Sequence, residues 1–221
     1  MGVEVLNTIS LKNITKSFNG KVIINDLNAE LPQGKIICIY GQSGCGKTTL
    51  LNILGLLDNK YDGEVNIFGE KVIKKDRYTT PMRRKKISFI FQNYFLIPEL
   101  TVLENIYVPN IYRDNSIDES KVLQILEMLQ IKDIKDQKCY SLSGGEKQRV
   151  AIARAIQCDT PIIICDEPTG NLDNENRNII LNCFKDLCEH GKTLIIVTHD
   201  IKMKEVCDIV FELKGGKLYE V

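Results

Sequence analysis

The sequence predicts an α/β fold in which buried, parallel strands alternate with helices. Four short apolar runs carry this prediction, at 35–40, 87–91, 162–167 and 193–197. Unbroken apolar runs of this length are typical of strands that are covered on both faces, as in a parallel sheet. Helix patterns follow the first run at 48–54 and the third at 174–190. The 221 residues, 43% of them hydrophobic, suffice for one large domain with a substantial core.

Two further segments differ from this alternation. In residues 3–31 and 64–68, short apolar stretches around the turns Asn19-Gly20 and Asp62-Gly63 predict strands. Segment 93–140 instead contains a helix start with a capping-box pattern at Thr101 and a second helix pattern at 116–130. We therefore expect a single domain, 1–221. In it, 1–92 and 141–221 form a β subdomain and the main sheet, and 93–140 forms an inserted helical subdomain.

A glycine-rich loop follows the first buried strand and fits the pattern G-x-x-x-x-G-K-[ST]. Its glycines let the backbone turn tightly and approach a polyphosphate. The N–H groups of the loop and of the helix start face the anion. Lys47 is suited to neutralise phosphate charge, and the Thr48 hydroxyl is suited to bind Mg²⁺. The residues of this phosphate loop are Gly41, Gln42, Ser43, Gly44, Cys45, Gly46, Lys47, Thr48 and Thr49.

Polar side chains follow the third and fourth buried strands. Asp166 and Glu167 end the third strand, and His199 comes just after the fourth. The carboxyl ends of parallel strands are where α/β folds bind ligands, so we expect these side chains at one edge of the sheet. Asp166 suits a strand-end acid that assists Mg²⁺, and Glu167 suits a general base for water.

Two other features have an ordinary structural interpretation when they are taken alone. Ser143, Gly144 and Gly145 precede a helix rich in small residues. These residues form either a further anion-binding helix start or the N-terminus of an ordinary capped core helix. Without the other motifs, the capped core helix is favoured. Phe18 stands before the Asn19-Gly20 turn, where an aromatic residue of the hairpin or core is the simpler interpretation.

Several motifs occur in one order along the chain: the phosphate loop, Gln92, the pentapeptide Leu142-Ser143-Gly144-Gly145-Glu146, Cys165-Asp166-Glu167, Asn171-Leu172-Asp173 and His199. Together they resemble the nucleotide-binding subunit of ABC transporters. The pentapeptide Leu142-Ser143-Gly144-Gly145-Glu146 is specific to that superfamily, whereas the phosphate loop alone is not. Segments 91–98, 100–105 and 168–173 are similar to those of the lipoprotein-releasing and macrolide-exporter group, with a bacteriocin or antimicrobial-peptide export ATPase as a close alternative. The resemblance implies a P-loop NTPase (RecA-like) core, an N-terminal antiparallel β subdomain and an inserted α-helical subdomain.

The resemblance also implies a role for each motif. Phe18 stacks on the adenine of ATP, and Glu167 is the general base. Gln92 joins Thr48 as a ligand of Mg²⁺ and senses the attacking water. His199 is a switch at the γ-phosphate. Ser143 and Gly145 contact the γ-phosphate bound by the opposite subunit, so that two chains enclose two ATP molecules and Asp173 lies at their interface.

The expected partners are a second copy of the chain and a separate membrane permease. The formal net charge of +0 predicts no nucleic-acid partner. The sequence has neither a bilayer-spanning apolar run nor a signal-peptide pattern, so we expect a cytoplasmic protein on the inner face of the membrane. The apolar run before Pro98 predicts permease docking near 94–98.

Other functions stay open at this stage. A regulatory ATPase that signals through a membrane partner to a cell-wall enzyme is the main alternative, because the cargo leaves no mark on this chain. A soluble ABC protein of translation or DNA repair is disfavoured by the single cassette and by the lack of a long coiled coil or basic tail.

Overall fold

The computed structural model describes residues 7–112, 118–170 and 172–221. The strands are β1 (Asn7–Phe18), β2 (Lys21–Pro32), β3 (Ile36–Tyr40), β4 (Asp62–Ile67), β5 (Glu70–Lys71), β6 (Ile87–Ile90), β7 (Ile162–Asp166), β8 (Thr193–Thr198), β9 (Ile209–Lys214) and β10 (Lys217–Glu220). The α-helices are α1 (Lys47–Leu54), α2 (Asp76–Lys86), α3 (Val102–Tyr107), α4 (Glu119–Met128), α5 (Gly144–Gln157) and α6 (Asn174–Glu189). Short 3₁₀ helices lie at Val108–Tyr112, Lys132–Ile134, Cys139–Ser141 and Ile201–Glu205.

The main sheet has the strand order β10-β9-β3-β8-β7-β6 and is parallel except for the edge strand β10. Strand β3 shows why its residues form a buried strand. Ile36 and Cys38 point into the core on one face of the sheet, and Ile37 and Ile39 point into the core on the other. Because both faces are covered, an apolar side chain is required at every position. The predicted α/β class is therefore confirmed.

A second sheet, in the order β2-β1-β4-β5, is antiparallel and corresponds to the predicted β subdomain. Strands β1 and β2 form a hairpin whose turn residues, Asn19 and Gly20, have φ values of 49° and 80°. Both values are positive, as a two-residue hairpin turn of the favoured twist requires. The buried side chains of this sheet share a core with α1 and one face of the main sheet. The hairpin is thereby fixed beside the phosphate loop.

Helical structure fills most of the described chain between β6 and α5. Helix α3 begins after Thr101, which forms the predicted capping box with Glu104. Helix α4 begins after Asp118 and ends at Met128. It is shorter than the predicted helix at 116–130, and positions 116 and 117 lie outside the described residues. The boundaries of an inserted subdomain at 93 and 140 stay a prediction.

Helix α2 and the hairpin of β9 and β10 were not predicted. Helix α2 has only one buried residue, Thr79, and contains Pro81, so its sequence lacks an apolar periodicity. Its last turn holds the basic run 83–86, where the cations face the negative end of the helix dipole. The hairpin of β9 and β10 is the other addition, and it places β9 against β3. Within the described ranges, no helix is long and apolar enough to cross a membrane.

Candidate active site

A cleft of about 580 Å³ lies at the carboxyl ends of β3, β7 and β8, beside the β1–β2 hairpin. It brings together most of the site residues predicted from the sequence, including residues more than 180 positions apart, such as Phe18 and His199. The lining residues are Phe18, Ile23, Ser43, Gly44, Gly46, Lys47, Thr48, Thr49, Gln92, Asp166, Glu167 and His199.

The phosphate loop connects β3 to α1 in a conformation that only glycine accommodates at two positions. Gly46 has φ of 105°, and a Cβ there would lie 2.8 Å from Ile23 Cγ2. A Cβ on Gly41 would lie 2.6 Å from Cys45 Sγ and 2.9 Å from the carbonyl oxygen of Leu213. The loop is thus packed tightly against the hairpin and β9.

Helix α1 has an open N-terminus. No side chain caps it, and its first turn contains no acidic residue. Its first N–H groups therefore remain available for an anion, with the helix dipole adding to the attraction. Lys47 Nζ donates hydrogen bonds to the carbonyl oxygens of Gly41 (2.8 Å) and Gln42 (2.9 Å), which hold the ammonium within the loop. Gly41, Gln42 and Cys45 belong to the loop but do not border the cleft.

The Glu167 carboxylate is buried and held by three hydrogen bonds. Oε2 accepts from Thr198 Oγ1 at 2.7 Å. Oε1 accepts from the His199 N–H at 2.9 Å and lies 2.6 Å from His199 Nδ1. Glu167 also has a positive φ, 49°, an uncommon backbone conformation for this residue type. Two residues at the site, Thr198 and Ile23, were not predicted. Thr198 could have been found from its position at the end of the buried strand β8, whereas nothing in the sequence marks Ile23 as part of the cleft.

Oxygen-bearing side chains border the cleft near the phosphate loop, on Thr48, Gln92 and Asp166. Burial raises the pKa of Asp166 above its ordinary value, the nearby Glu167 charge adds to this, and Lys47 opposes it. A buried carboxylate beside a second one is stabilised in its charged form by a nearby cation. The donor set and the charge are those that a hard cation such as Mg²⁺ prefers.

The other predicted anion-binding helix start, formed by Ser143, Gly144 and Gly145, lies outside this cleft. These residues do not belong to the described lining of the cleft, and helix α5 begins at Gly144, two residues earlier than a start after both glycines. Ser143 Oγ accepts from the Glu146 N–H, and the Glu146 carboxylate accepts from the Ser143 N–H at 2.7 Å. A Cβ on Gly145 would lie 2.9 Å from Asn176 Cγ, at the start of α6. The start of α5 therefore has a side-chain cap and an acidic residue in its first turn, neither of which is present at the start of α1.

Known proteins are similar to this chain. The model of the ABC transporter family matches residues 24–170. The lipoprotein-releasing system ATP-binding protein LolD of Bacteroides fragilis is 38% identical over 214 residues, covering 95% of this chain and 99% of that protein. The methionine import ATP-binding protein MetN of Legionella pneumophila is 37% identical over 218 residues, covering 96% of this chain and 63% of that protein.

Solved structures of the cassette MJ0796, a protein of Methanocaldococcus jannaschii, are also similar. A dimeric structure superposes with a TM-score of 0.86 at 38% identity, covering 96% of this chain and 97% of that one. A dimeric post-hydrolysis state bound to ADP and Pi gives a TM-score of 0.85 at 38% identity, with the same coverage of both chains.

The chain therefore belongs to the ABC transporter family. It is an ATP-binding cassette with a P-loop fold and an ATPase, and its predicted likeness to the lipoprotein-releasing group is confirmed by several LolD relatives. An importer subunit is nearly as similar as LolD, so the comparisons define the cassette and leave its cargo open.

Proposed function

We propose that two copies of this chain close around two Mg·ATP, and that their ATP hydrolysis drives a separate membrane permease from its cytoplasmic face. The exported cargo is a peptide, a lipoprotein or a drug. One observation carries the proposal: the phosphate loop and the helix start at 143–145 do not share a cleft within the described chain. In a two-fold dimer, each chain supplies Ser143 and Gly145 to the γ-phosphate in its partner's cleft. The dimeric state of the MJ0796 cassette supports this arrangement.

The cleft accommodates ATP along its length. Phe18 is half exposed at the hairpin side, where its ring offers a stacking surface for adenine. The triphosphate lies against the phosphate loop, the α1 N-terminus and Lys47. Thr48, Gln92 and Asp166 would hold Mg²⁺ there, and the bound ion would offset part of the phosphate charge.

Glu167 acts as the general base. In the structure its Oε1 faces the ring nitrogen of His199, whose side chain is 68% exposed. When that exposed ring turns towards a γ-phosphate, Oε1 becomes available to accept a proton from water. Thr198 stays bonded to Oε2 and keeps the carboxylate in place. His199 thereby links the arrival of ATP to the readiness of the base.

The permease docks on segment 94–98 and the groove beside it. This docking segment contains no helix, and Phe95 and Ile97 are 62% and 42% exposed. Phe95 packs edge-to-face on Phe91 with ring centroids 5.2 Å apart. Both rings line an apolar groove of about 430 Å³ together with Leu57, Val108 and Pro109. Exposed aromatic and aliphatic side chains beside such a groove favour a protein partner.

The groove also contains positive charge. Arg83, Arg84 and Arg154 line it, and its described lining includes no acidic residue. Burial is the main cause that lowers the pKa of Arg83 and of Arg154, so a carboxylate placed near these side chains would be favoured electrostatically. We infer that the part of the permease that binds in this groove combines apolar side chains with at least one Asp or Glu.

Arg154 connects the docking segment to the dimer interface. Its guanidinium donates hydrogen bonds to the carbonyl oxygens of Tyr94 and Phe95, whose φ values are 58° and 47°. Arg154 lies in α5, the helix that begins at the nucleotide-facing Gly144 and Gly145. When ATP joins the two chains and α5 moves, the hydrogen bonds of Arg154 move the docking segment with it.

Phe95→Glu and Tyr94→Glu should abolish permease binding while the isolated subunit keeps its ATP affinity. A carboxylate interrupts the apolar surface, and loss of an aromatic interface anchor lowers recovery of the permease at least about tenfold. The measurement is pull-down of the co-expressed permease together with nucleotide titration of each variant.

The matched control is Tyr219→Glu, a similarly exposed aromatic residue on the edge strand β10. It should leave permease recovery at the parent level. Full recovery with both charge variants at 94 and 95 would exclude this segment as the dock.

A further inference from the structure

Lys16, on the same strand as Phe18, is an unusually buried lysine. Its ammonium lies 4.7 Å from the centroid of the Phe18 ring. Lys16 is 6% exposed, whereas Phe18 is 50% exposed and borders the cleft that Lys16 does not border. The ammonium therefore covers one face of the ring and leaves the other face open to a ligand.

The same ammonium is anchored to the chain that follows helix α1. Nζ donates to the carbonyl oxygen of Lys60 at 2.5 Å and pairs with Asp58 Oδ2 at 2.6 Å. Asp58 is itself held, because its N–H donates to the Asn52 carbonyl oxygen in α1 at 3.0 Å and its Oδ1 accepts from the Lys60 N–H at 2.8 Å. Lys16 thus links the β1–β2 hairpin to the helix that begins at the phosphate loop.

We propose that Lys16, held by Asp58, is a positioning residue for the adenine of ATP. It fixes the Phe18 ring at a set distance from the phosphate loop, so that base and triphosphate can be bound at once. This inference rests on the proposed function, in which Phe18 stacks on adenine. Lys16 reaches the nucleotide only through that ring.

A role of Lys16 in positioning the Phe18 ring can be distinguished from a role in stabilising the fold. ATP uses both the ring and the phosphate loop, whereas inorganic triphosphate uses the loop alone. Loss of Lys16 should therefore weaken ATP and leave inorganic triphosphate unaffected. A residue that only stabilised the fold would change the affinity of both ligands alike.

The experiment measures equilibrium binding of Mg·ATP and of magnesium inorganic triphosphate to the full chain. Lys16→Met keeps the buried stem and removes the ammonium, and it should weaken ATP binding about tenfold, as expected for loss of a desolvated cation over an aromatic ring. Inorganic triphosphate should bind within about twofold of the parent. Lys16→Arg keeps the charge and should restore most of the ATP affinity.

Two further variants keep the test decisive. Asp58→Asn combined with Lys16→Met avoids an unpaired carboxylate, should Lys16→Met alone not fold, and is expected to show the same ATP-specific loss. In a chain that already carries Phe18→Ala, Lys16→Met should lower ATP affinity no further, because two residues that act through one contact are not additive.

Equal losses for ATP and inorganic triphosphate, or no loss for ATP, would overturn the inference. Phe18→Ala separates this failure from failure of the proposed function. If Phe18→Ala weakens ATP but Lys16→Met does not, only the role of Lys16 is wrong. If Phe18→Ala leaves ATP binding unchanged, the placement of adenine is wrong, and the inference is overturned with it.

Discussion

Replacing Glu167 with Gln should reduce ATP hydrolysis by about a hundredfold or more, because the amide cannot accept a proton from the attacking water. The fold should tolerate the change. Gln has nearly the same shape; its carbonyl oxygen can take the place of Oε1 and accept from the His199 N–H, while its NH2 group takes the place of Oε2 and donates to the Thr198 hydroxyl oxygen. ATP affinity should stay at the parent level, since the phosphate loop is unchanged. Phosphate release and nucleotide titration measure the two quantities separately.

Glu189→Gln is the matched control for this prediction. Glu189 is exposed at the end of α6, does not border the cleft, and should leave hydrolysis unchanged on replacement. Hydrolysis at the parent rate by the Glu167→Gln chain would show that another group activates the water.

Ser143→Arg should prevent dimer formation and reduce hydrolysis by a similar factor, about a hundredfold, if the γ-phosphate needs donors from the opposite chain. A bulky side chain at the start of α5 blocks the approach of a second subunit. Ser143 does not border its own cleft, so each monomer should still bind ATP. Sedimentation in the presence of ATP, with Glu167→Gln in both chains to stop turnover, measures the dimer directly.

Ser143→Ala separates the interface from the helix cap. Both Arg and Ala remove the capping oxygen of Ser143, at a cost of about 1 kcal/mol of stability. Ala adds no bulk and should leave most of the ATP-dependent dimer intact. If Ser143→Arg dimerises as well as Ser143→Ala does, this helix start is not at the interface.

The local motifs could be predicted from the sequence because their chemistry is set by neighbouring residues. The phosphate loop needs only a strand, tight-turn glycines, Lys47 and a helix start, all within 15 residues. The caps at Thr101 and Ser143 are likewise local. The predicted hairpin at Asn19-Gly20 followed from a turn that requires positive φ at both residues.

Glu167 and His199 were expected at one edge of the sheet, but the hydrogen bonds between distant segments could not be predicted. The bonds from Thr198 and His199 to Glu167 depend on β7 and β8 being neighbours in the sheet, which strand order along the chain does not fix. The ion pair of Lys16 and Asp58 joins residues 42 positions apart, and neither belongs to a motif.

The positive charge of the docking groove was missed for a related reason. Two of its three arginines, Arg83 and Arg84, lie in α2, a helix that was not predicted because its sequence is polar, lacks an apolar periodicity and contains Pro81. The basic run 83–86 could not be assigned to this groove from the sequence, because only the fold brings Arg83 and Arg84 to the same lining as Phe95.

The most direct test of the shared site mixes two inactive chains. Lys47→Met disables the phosphate loop of its own cleft, and Ser143→Ala, which still permits dimer formation, removes the hydroxyl donated to the partner's cleft, a loss of about a hundredfold in rate. A mixed dimer of the two has one intact composite site, so an equal mixture should regain roughly a quarter of the parent ATPase rate, while each variant alone stays inactive. A mixture no more active than its separate components would contradict the account, because the site would then not be shared between two chains.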